Sequence, residues 1–150
     1  IIWLMKFKLA GGLKGVRAFL FIFCALGLWK ASTMLNIMKI EQIEYSPMVL
    51  ENVLQTNNPV FVNMTAAWCI TCKVNETAIR SDKVQKLFAD KNITYIVGDW
   101  TLMNPEITKY LESFDRTGVP LYVYYKVGDR NNPIVLPQIL TPNIIEKTLK

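Results

Sequence analysis

The residues best suited to chemistry are two cysteines separated by two residues, in the segment Cys69-Ile70-Thr71-Cys72. They follow an apolar run, 60–64, that predicts a buried strand, and Cys69 falls in the first turn of the helix predicted next. Unpaired backbone N–H groups and the helix dipole stabilise a thiolate there. An exposed Cys69 thiolate would attack a partner's disulfide, and a more sheltered Cys72 would resolve the mixed disulfide. The spacing therefore predicts thiol–disulfide exchange.

Other residues give this pair a context that two unrelated buried thiols would lack. Trp68 precedes Cys69, and Gly118-Val119-Pro120 begins a later strand, where a trans proline is the ordinary expectation. Glu76 lies four residues beyond Cys72, so we expect both side chains on one helix face. A carboxylate there could exchange a proton with the inner thiol, and a solvated surface Glu is the alternative.

Composition argues against several other classes of site and partner. The chain has 3 cysteines and no histidine, so a metal site would lack ligands, and we expect no cofactor beyond the redox-active disulfide. Residues 1–39 hold six of the 17 basic residues and no acidic residue, which leaves 11 basic against 12 acidic residues beyond them. The net charge of +5 therefore resides in the first segment and does not indicate a nucleic-acid partner.

Residues 1–39 are basic and apolar, and the mean hydropathy of the chain is +0.21. The uncharged run 18–29 is too short to span a bilayer, which takes about 20 residues. We expect the end of a transmembrane region, with a signal-peptide core and a buried or amphipathic helix as alternatives. In the first two cases, Lys14 and Arg17 on its N-terminal flank predict that this side lies in the cytoplasm and the rest of the chain across the membrane. Cys24 in this run is expected to be inert packing.

Residues 40–150 alternate between strand-like and helix-like patterns. Strands are predicted at 40–45, 60–64, 93–97, 121–125 and 134–136, and 126–133 is predicted as the turn of a hairpin. Helix starts are predicted at Ser46, Cys69, Ser81, Asn104 and Thr141, three of them with proline at the next position. The order β-α-β-α-β-α-β-β-α predicts an α/β fold, with a parallel core, an antiparallel edge and flanking helices.

With these motifs in hand, the sequence resembles the C-terminal thioredoxin-like domain of the DsbD family, bacterial transmembrane thiol:disulfide interchange proteins that include the ScsB branch. The resemblance runs from about residue 46 to 149 and is strongest in VNMTAAWCITCKVNE, GDWT and GVPLYVYY. It implies a thioredoxin-like fold and a periplasmic domain attached to the inner membrane. It also implies a protein-disulfide reductase that takes electrons from a transmembrane domain and passes them to a disulfide-bearing protein or domain.

The resemblance also implies roles for particular residues. Cys69 would attack, Cys72 would resolve and Glu76 would be the active-site acid. Pro120 would be cis and face the dithiol, and the Val119 backbone would meet the substrate. The substrate would also contact three residues of the motif, Trp68, Ile70 and Thr71.

One residue departs from the pattern of the family. Thioredoxins and many DsbD-type domains have an aspartate six positions before the first cysteine, and here that residue is Asn63. Since an amide takes no proton, a proton relay would pass to Glu76 or to water. The residues alone leave oxidase, isomerase and reductase open, because the direction follows from reduction potentials. A free-standing membrane-tethered thioredoxin-like protein and a non-catalytic binding or metallochaperone module are further alternatives.

Overall fold

The computed structural model describes residues 40–150, so the predictions for residues 1–39, including Cys24 and the membrane segment, lie outside the described residues. Within 40–150, no helix has both the length and the apolar character that crossing a membrane requires. Ten elements follow one another along the chain: β1 (Gln42–Glu44), α1 (Pro47–Leu54), β2 (Val60–Thr65), α2 (Ile70–Ile79), α3 (Asp82–Asp90), β3 (Thr94–Asp99), α4 (Pro105–Glu112), β4 (Leu121–Lys126), β5 (Asp129–Val135) and α5 (Pro142–Thr148).

The strands form one mixed sheet in the order β1-β3-β2-β4-β5. Strands β1 and β2 both pair with β3 in parallel, and β4 pairs antiparallel with β2 and with β5. The predicted parallel core with an antiparallel addition is thus confirmed. Because β2 and β3 run in parallel, their carboxyl ends at Thr65 and Asp99 meet at one edge of the sheet, where the cysteine segment begins.

Helices cover both faces of this sheet. Successive side chains of the interior strands point to opposite faces, and they are apolar on both. Phe61 and Tyr122 point to the face covered by α2, α3 and α5, whereas Val62 and Val123 point to the face covered by α1 and α4. All four of these side chains are almost fully buried. The predicted α/β class with a thioredoxin-like central sheet flanked by helices is confirmed.

The helix starts predicted at Cys69 and Ser81 are both confirmed, as α2 and α3, although the predicted order of elements counted one helix between β2 and β3. The break between the two helices falls at Ser81, whose hydroxyl donates to the carbonyl of Ala78 at 2.7 Å. The predicted hairpin turn, 126–133, was wrong, since the turn is shorter and Lys126 already pairs with Asp129. Gly128 makes the tight connection by adopting a φ of 80°, which costs a glycine little.

Candidate active site

Cys69 and Cys72 are joined by a disulfide at the start of α2, with their Cα atoms 5.3 Å apart. Cys69 is the residue that caps the helix, and its Sγ accepts a hydrogen bond from the backbone N–H of Cys72 at 3.1 Å. Backbone N–H groups at a helix start also stabilise negative charge on sulfur. The predicted placement of the pair, at the end of a buried strand and the beginning of a helix, is confirmed.

The exposure of the two cysteines differs less than the sequence led us to expect. Cys69 is 6% exposed and Cys72 is 4% exposed in the disulfide form. Both pack with Ala66, and Val119 lies against the same cluster, so Cys69 is covered by neighbouring side chains as Cys72 is. The predicted exposed Cys69 and sheltered Cys72 are therefore not distinguished by burial in this form. Their difference lies in position, since only Cys69 precedes the first turn of the helix.

The proline predicted to face the cysteines enters β4 next to them. The Val119–Pro120 peptide bond is cis, as the resemblance implied and against the ordinary expectation of a trans bond. Pro120 is buried and precedes Leu121, which pairs with Met64 of β2. This pairing holds the start of β4 beside the end of the strand that leads into the cysteine segment.

Three of the predicted substrate-contacting residues present their side chains to solvent around the disulfide. Trp68 is 52% exposed and Ile70 is 79% exposed, and Thr71 is exposed as well. The indole N–H of Trp68 donates to the backbone carbonyl of Thr101 at 3.2 Å, and its ring lies 6.0 Å from that of Trp100. The exposed Trp68 is therefore held in place by residues that directly follow β3.

Asn75 is a buried structural residue of the helix that carries the cysteines, and the sequence analysis missed it. It is fully buried on α2, one turn beyond Cys72, and its amide donates to the hydroxyl of Tyr122 at 3.0 Å and to the carbonyl of Gln138 at 2.6 Å. Its side-chain oxygen accepts from the N–H of Leu140 at 2.9 Å. Its position could have been recognised in the sequence, because a residue three positions beyond the buried Cys72 lies on the same face of the helix.

Asn63 lies on the same face of the sheet as Tyr122, its partner across the β2–β4 ladder. Its amide donates to the hydroxyl of Tyr95 at 2.8 Å, and its buried side-chain oxygen has no hydrogen-bond partner among residues 40–150. Burial raises the pKa of Tyr95 to about 12, although the hydrogen bond from Asn63 opposes this. Burial likewise raises the pKa of Tyr122. The phenols beneath the active-site helix are therefore neutral donors and acceptors near neutral pH.

Glu76 lies on the solvent side of α2, and its side chain is 48% exposed. The Arg80 guanidinium donates to its carboxylate at 2.8 Å. Asn75, rather than Glu76, occupies the buried position beside Cys72. The role of Glu76 as an active-site acid stays a prediction.

These features define a class of protein. A disulfide between two cysteines three positions apart, at the start of a helix, fits reversible thiol–disulfide exchange. Among residues 40–150, no group of three His, Cys, Asp or Glu residues is arranged to hold a metal ion. The fold and the disulfide together support a thiol–disulfide oxidoreductase.

Comparison with known proteins agrees with this class. The thioredoxin-like family matches residues 39–126, which is more than half of the sequence, and the chain belongs to that family. No curated protein matches it in sequence.

Solved structures with this fold include chloroplastic thioredoxin z, with a TM-score of 0.58 and 18% identity over 75% of this chain and 94% of that one. They also include the oxidised DsbD C-terminal domain of Neisseria meningitidis, with a TM-score of 0.56 and 17% identity over 71% of this chain and 96% of that one. Trxlp from Edwardsiella tarda has a TM-score of 0.54 and 18% identity, over 73% of this chain and 99% of that one. At such identities these likenesses concern the fold.

Proposed function

We propose that this chain is a protein-disulfide reductase of the DsbD type, with its thioredoxin-like domain in the bacterial periplasm and its N-terminal segment in the inner membrane. The observation that carries the proposal is the Cys69–Cys72 disulfide at the start of α2, with Val119 packed against the same cluster. The resemblance in the cysteine motif and the likeness in fold to the DsbD C-terminal domain support it. The electron donor is a transmembrane domain, and the acceptor is a periplasmic protein or domain that carries a disulfide.

The reaction transfers two electrons and two protons. In the reduced form, the Cys69 thiolate attacks one sulfur of the partner's disulfide, and the partner's other sulfur leaves as a thiolate that takes up a proton. Cys72 then loses its proton and attacks the sulfur of Cys69. The mixed disulfide breaks as the Cys69–Cys72 disulfide forms, and the partner's second sulfur leaves as a thiolate that takes up a proton from solvent, so the partner is released as a dithiol. A dithiol of the donor domain reduces the pair again by the same exchange.

The other predicted site residues assist this reaction without a cofactor. The backbone of Val119 aligns the partner's chain, and the side chains of Trp68, Ile70 and Thr71 contact it. Glu76 accepts the proton that Cys72 loses, through water, because its carboxylate lies on the solvent side of α2. Pro120 packs opposite the disulfide.

A trapping experiment with the full chain tests the proposal. Cys72→Ser removes the resolving thiol, so we expect it to accumulate a mixed disulfide with its partner through Cys69 when expressed in a bacterial periplasm. Cys69→Ser is the matched control and should accumulate none. If Cys72→Ser forms no mixed disulfide that a reductant releases, thiol–disulfide exchange is excluded.

The reduction potential tests the direction of electron flow. We expect a potential below about −200 mV, as in thioredoxin and the glutaredoxins, measured by equilibration with glutathione or dithiothreitol. A potential above about −150 mV, near that of DsbA, would indicate an oxidase instead.

A further inference from the structure

Exposed apolar side chains are concentrated around the disulfide. Nine large apolar residues of 40–150 are exposed. Six of them lie beside the cysteines in sequence, on α2, or in segments hydrogen-bonded to α2 or to Trp68: Trp68, Ile70, Val74, Leu102, Met103 and Ile139. Leu102 is the most exposed of the nine, at 92%, and Met103 is 61% exposed. The side chains next to the cysteines and in the turn bonded to Trp68 are candidates for contacts with the molecule that reacts at the disulfide.

The turn that carries Leu102 and Met103 is fixed to the cysteine segment. The hydroxyl oxygen of Thr101 accepts from the N–H of Ala67 at 2.8 Å, and its carbonyl accepts from the indole of Trp68 at 3.2 Å. The N–H of Met103 donates to the carbonyl of Trp100 at 3.0 Å, which closes the turn. Leu102 therefore lies in a turn that is hydrogen-bonded to the two residues directly before Cys69.

The conformation of this turn is unfavourable for the residue that occupies it. Met103 has a φ of 54°, in the left-handed region that long side chains seldom adopt. Trp100, the first residue of the turn, is only 9% exposed. Its indole N–H donates to the hydroxyl of Thr108 at 2.9 Å, which fixes the turn to α4. The fold thus holds two large apolar side chains outside its own core, where they contribute little to folding.

We propose that Leu102 and Met103 determine substrate specificity by selecting partner polypeptides whose reactive cysteine is flanked by apolar residues. This inference rests on the proposed function, since a partner's disulfide must reach Cys69 for exchange to occur. The chain on either side of that disulfide then lies over Trp68 and the adjacent turn. The turn 100–103 contains no charged residue, so apolar flanks gain the most from contact with it.

The test compares three disulfides as substrates of the reduced full chain. Two are synthetic peptide disulfides that differ only in whether leucine or serine flanks the cysteine, and the third is hydroxyethyl disulfide, which is too small to reach the turn. We expect kcat/KM to be about tenfold higher for the leucine peptide, since burying part of one or two apolar side chains has this effect. The double substitution Leu102→Ser with Met103→Ser should abolish that preference and leave the rate with hydroxyethyl disulfide unchanged.

Val127→Ser is the matched control. Val127 is also exposed, but it lies in the β4–β5 hairpin at the opposite end of the sheet from the disulfide. It should keep the preference for the leucine peptide.

Two results would overturn the inference and leave the proposed function intact. One is a double variant that still prefers the leucine peptide. If that variant also binds less well to vesicles of phosphatidylethanolamine and phosphatidylglycerol, or to a second copy of itself, the turn contacts a membrane or another copy of the chain and not the substrate. The other is a loss of preference in Val127→Ser that equals the loss in the double variant. Failure of the unmodified chain to reduce any of the three disulfides would instead overturn the proposed function and the inference with it.

Discussion

Asn75 of the active-site helix donates a 3.0 Å hydrogen bond to the hydroxyl of Tyr122, which lies two residues beyond the cis Pro120. This bond links the element that carries Cys72 to the strand that begins at the proline. The same side chain also binds the backbone of Gln138 and Leu140, so it fixes three parts of the chain with one buried amide. The arrangement of cysteines and proline thus depends on a residue that takes no part in the exchange.

The first prediction follows from this role. Asn75→Ala should lower the free energy of unfolding by about 3 kcal/mol, because it removes the partner of the buried N–H of Leu140 and of the buried hydroxyl of Tyr122. Urea denaturation of the disulfide form measures the change. Asn143→Ala is the matched control, since Asn143 is exposed, and it should change stability by less than about 0.5 kcal/mol. Equal effects of the two substitutions would contradict the stabilising role of the Asn75 hydrogen bonds.

The second prediction concerns the packing of β3 against β2. A Cβ added at Gly98 would overlap the sulfur of the fully buried Met64 and would lie 3.3 Å from Ile107. Gly98→Ala should therefore lower the free energy of unfolding by about 1–3 kcal/mol, the usual cost of overpacking a core.

Gly118→Ala is the matched control for this substitution. The nearest atom to a Cβ there is in the ring of Trp100, at 3.8 Å, which is ordinary van der Waals contact. Thermal unfolding of the two variants should therefore differ clearly. A Gly98→Ala variant as stable as Gly118→Ala would show that Met64 rearranges at no cost.

The third prediction is a loss of stability in alkali. Burial raises the pKa of Tyr95 to about 12 from its ordinary value of 10.0. Below pH 10 the phenol is neutral in the folded and the unfolded chain, so its contribution does not change. Between pH 10 and 12 the unfolded chain releases the proton and the folded chain retains it, so the free energy of unfolding falls as pH rises.

Tyr95→Phe isolates this contribution from those of the other buried tyrosines. Between pH 9 and 11 the variant should lose about 1 kcal/mol less than the unmodified chain, which urea denaturation at the two pH values measures. Its stability at neutral pH should be lower, because the amide of Asn63 loses its partner. If the free energy of unfolding falls equally in the variant and in the unmodified chain between pH 9 and 11, the loss belongs to groups other than Tyr95.

Local features of the fold could be predicted from the sequence because they depend on neighbouring residues. Ser46, Asn104 and Thr141 each cap the helix predicted to start there, and each side chain accepts from a backbone N–H two or three residues ahead. Proline at the next position in each case fits the first turn of a helix. Ser81 differs, because its hydroxyl bonds backward to α2 and does not cap α3.

By itself, the sequence determined that Cys69 begins a helix after a buried strand, since the apolar run, the spacing of the cysteines and the capping position are all local. Only the tertiary structure decided what surrounds the pair. Asn75 meets Tyr122 across 47 residues of sequence, and Asn63 meets Tyr95 across 32. Such contacts depend on the strand order and on which helix face is buried, and neither follows from local periodicity. For the same reason the packing of α2 put Asn75 in the interior and Glu76 at the surface, although both lie within one turn of Cys72.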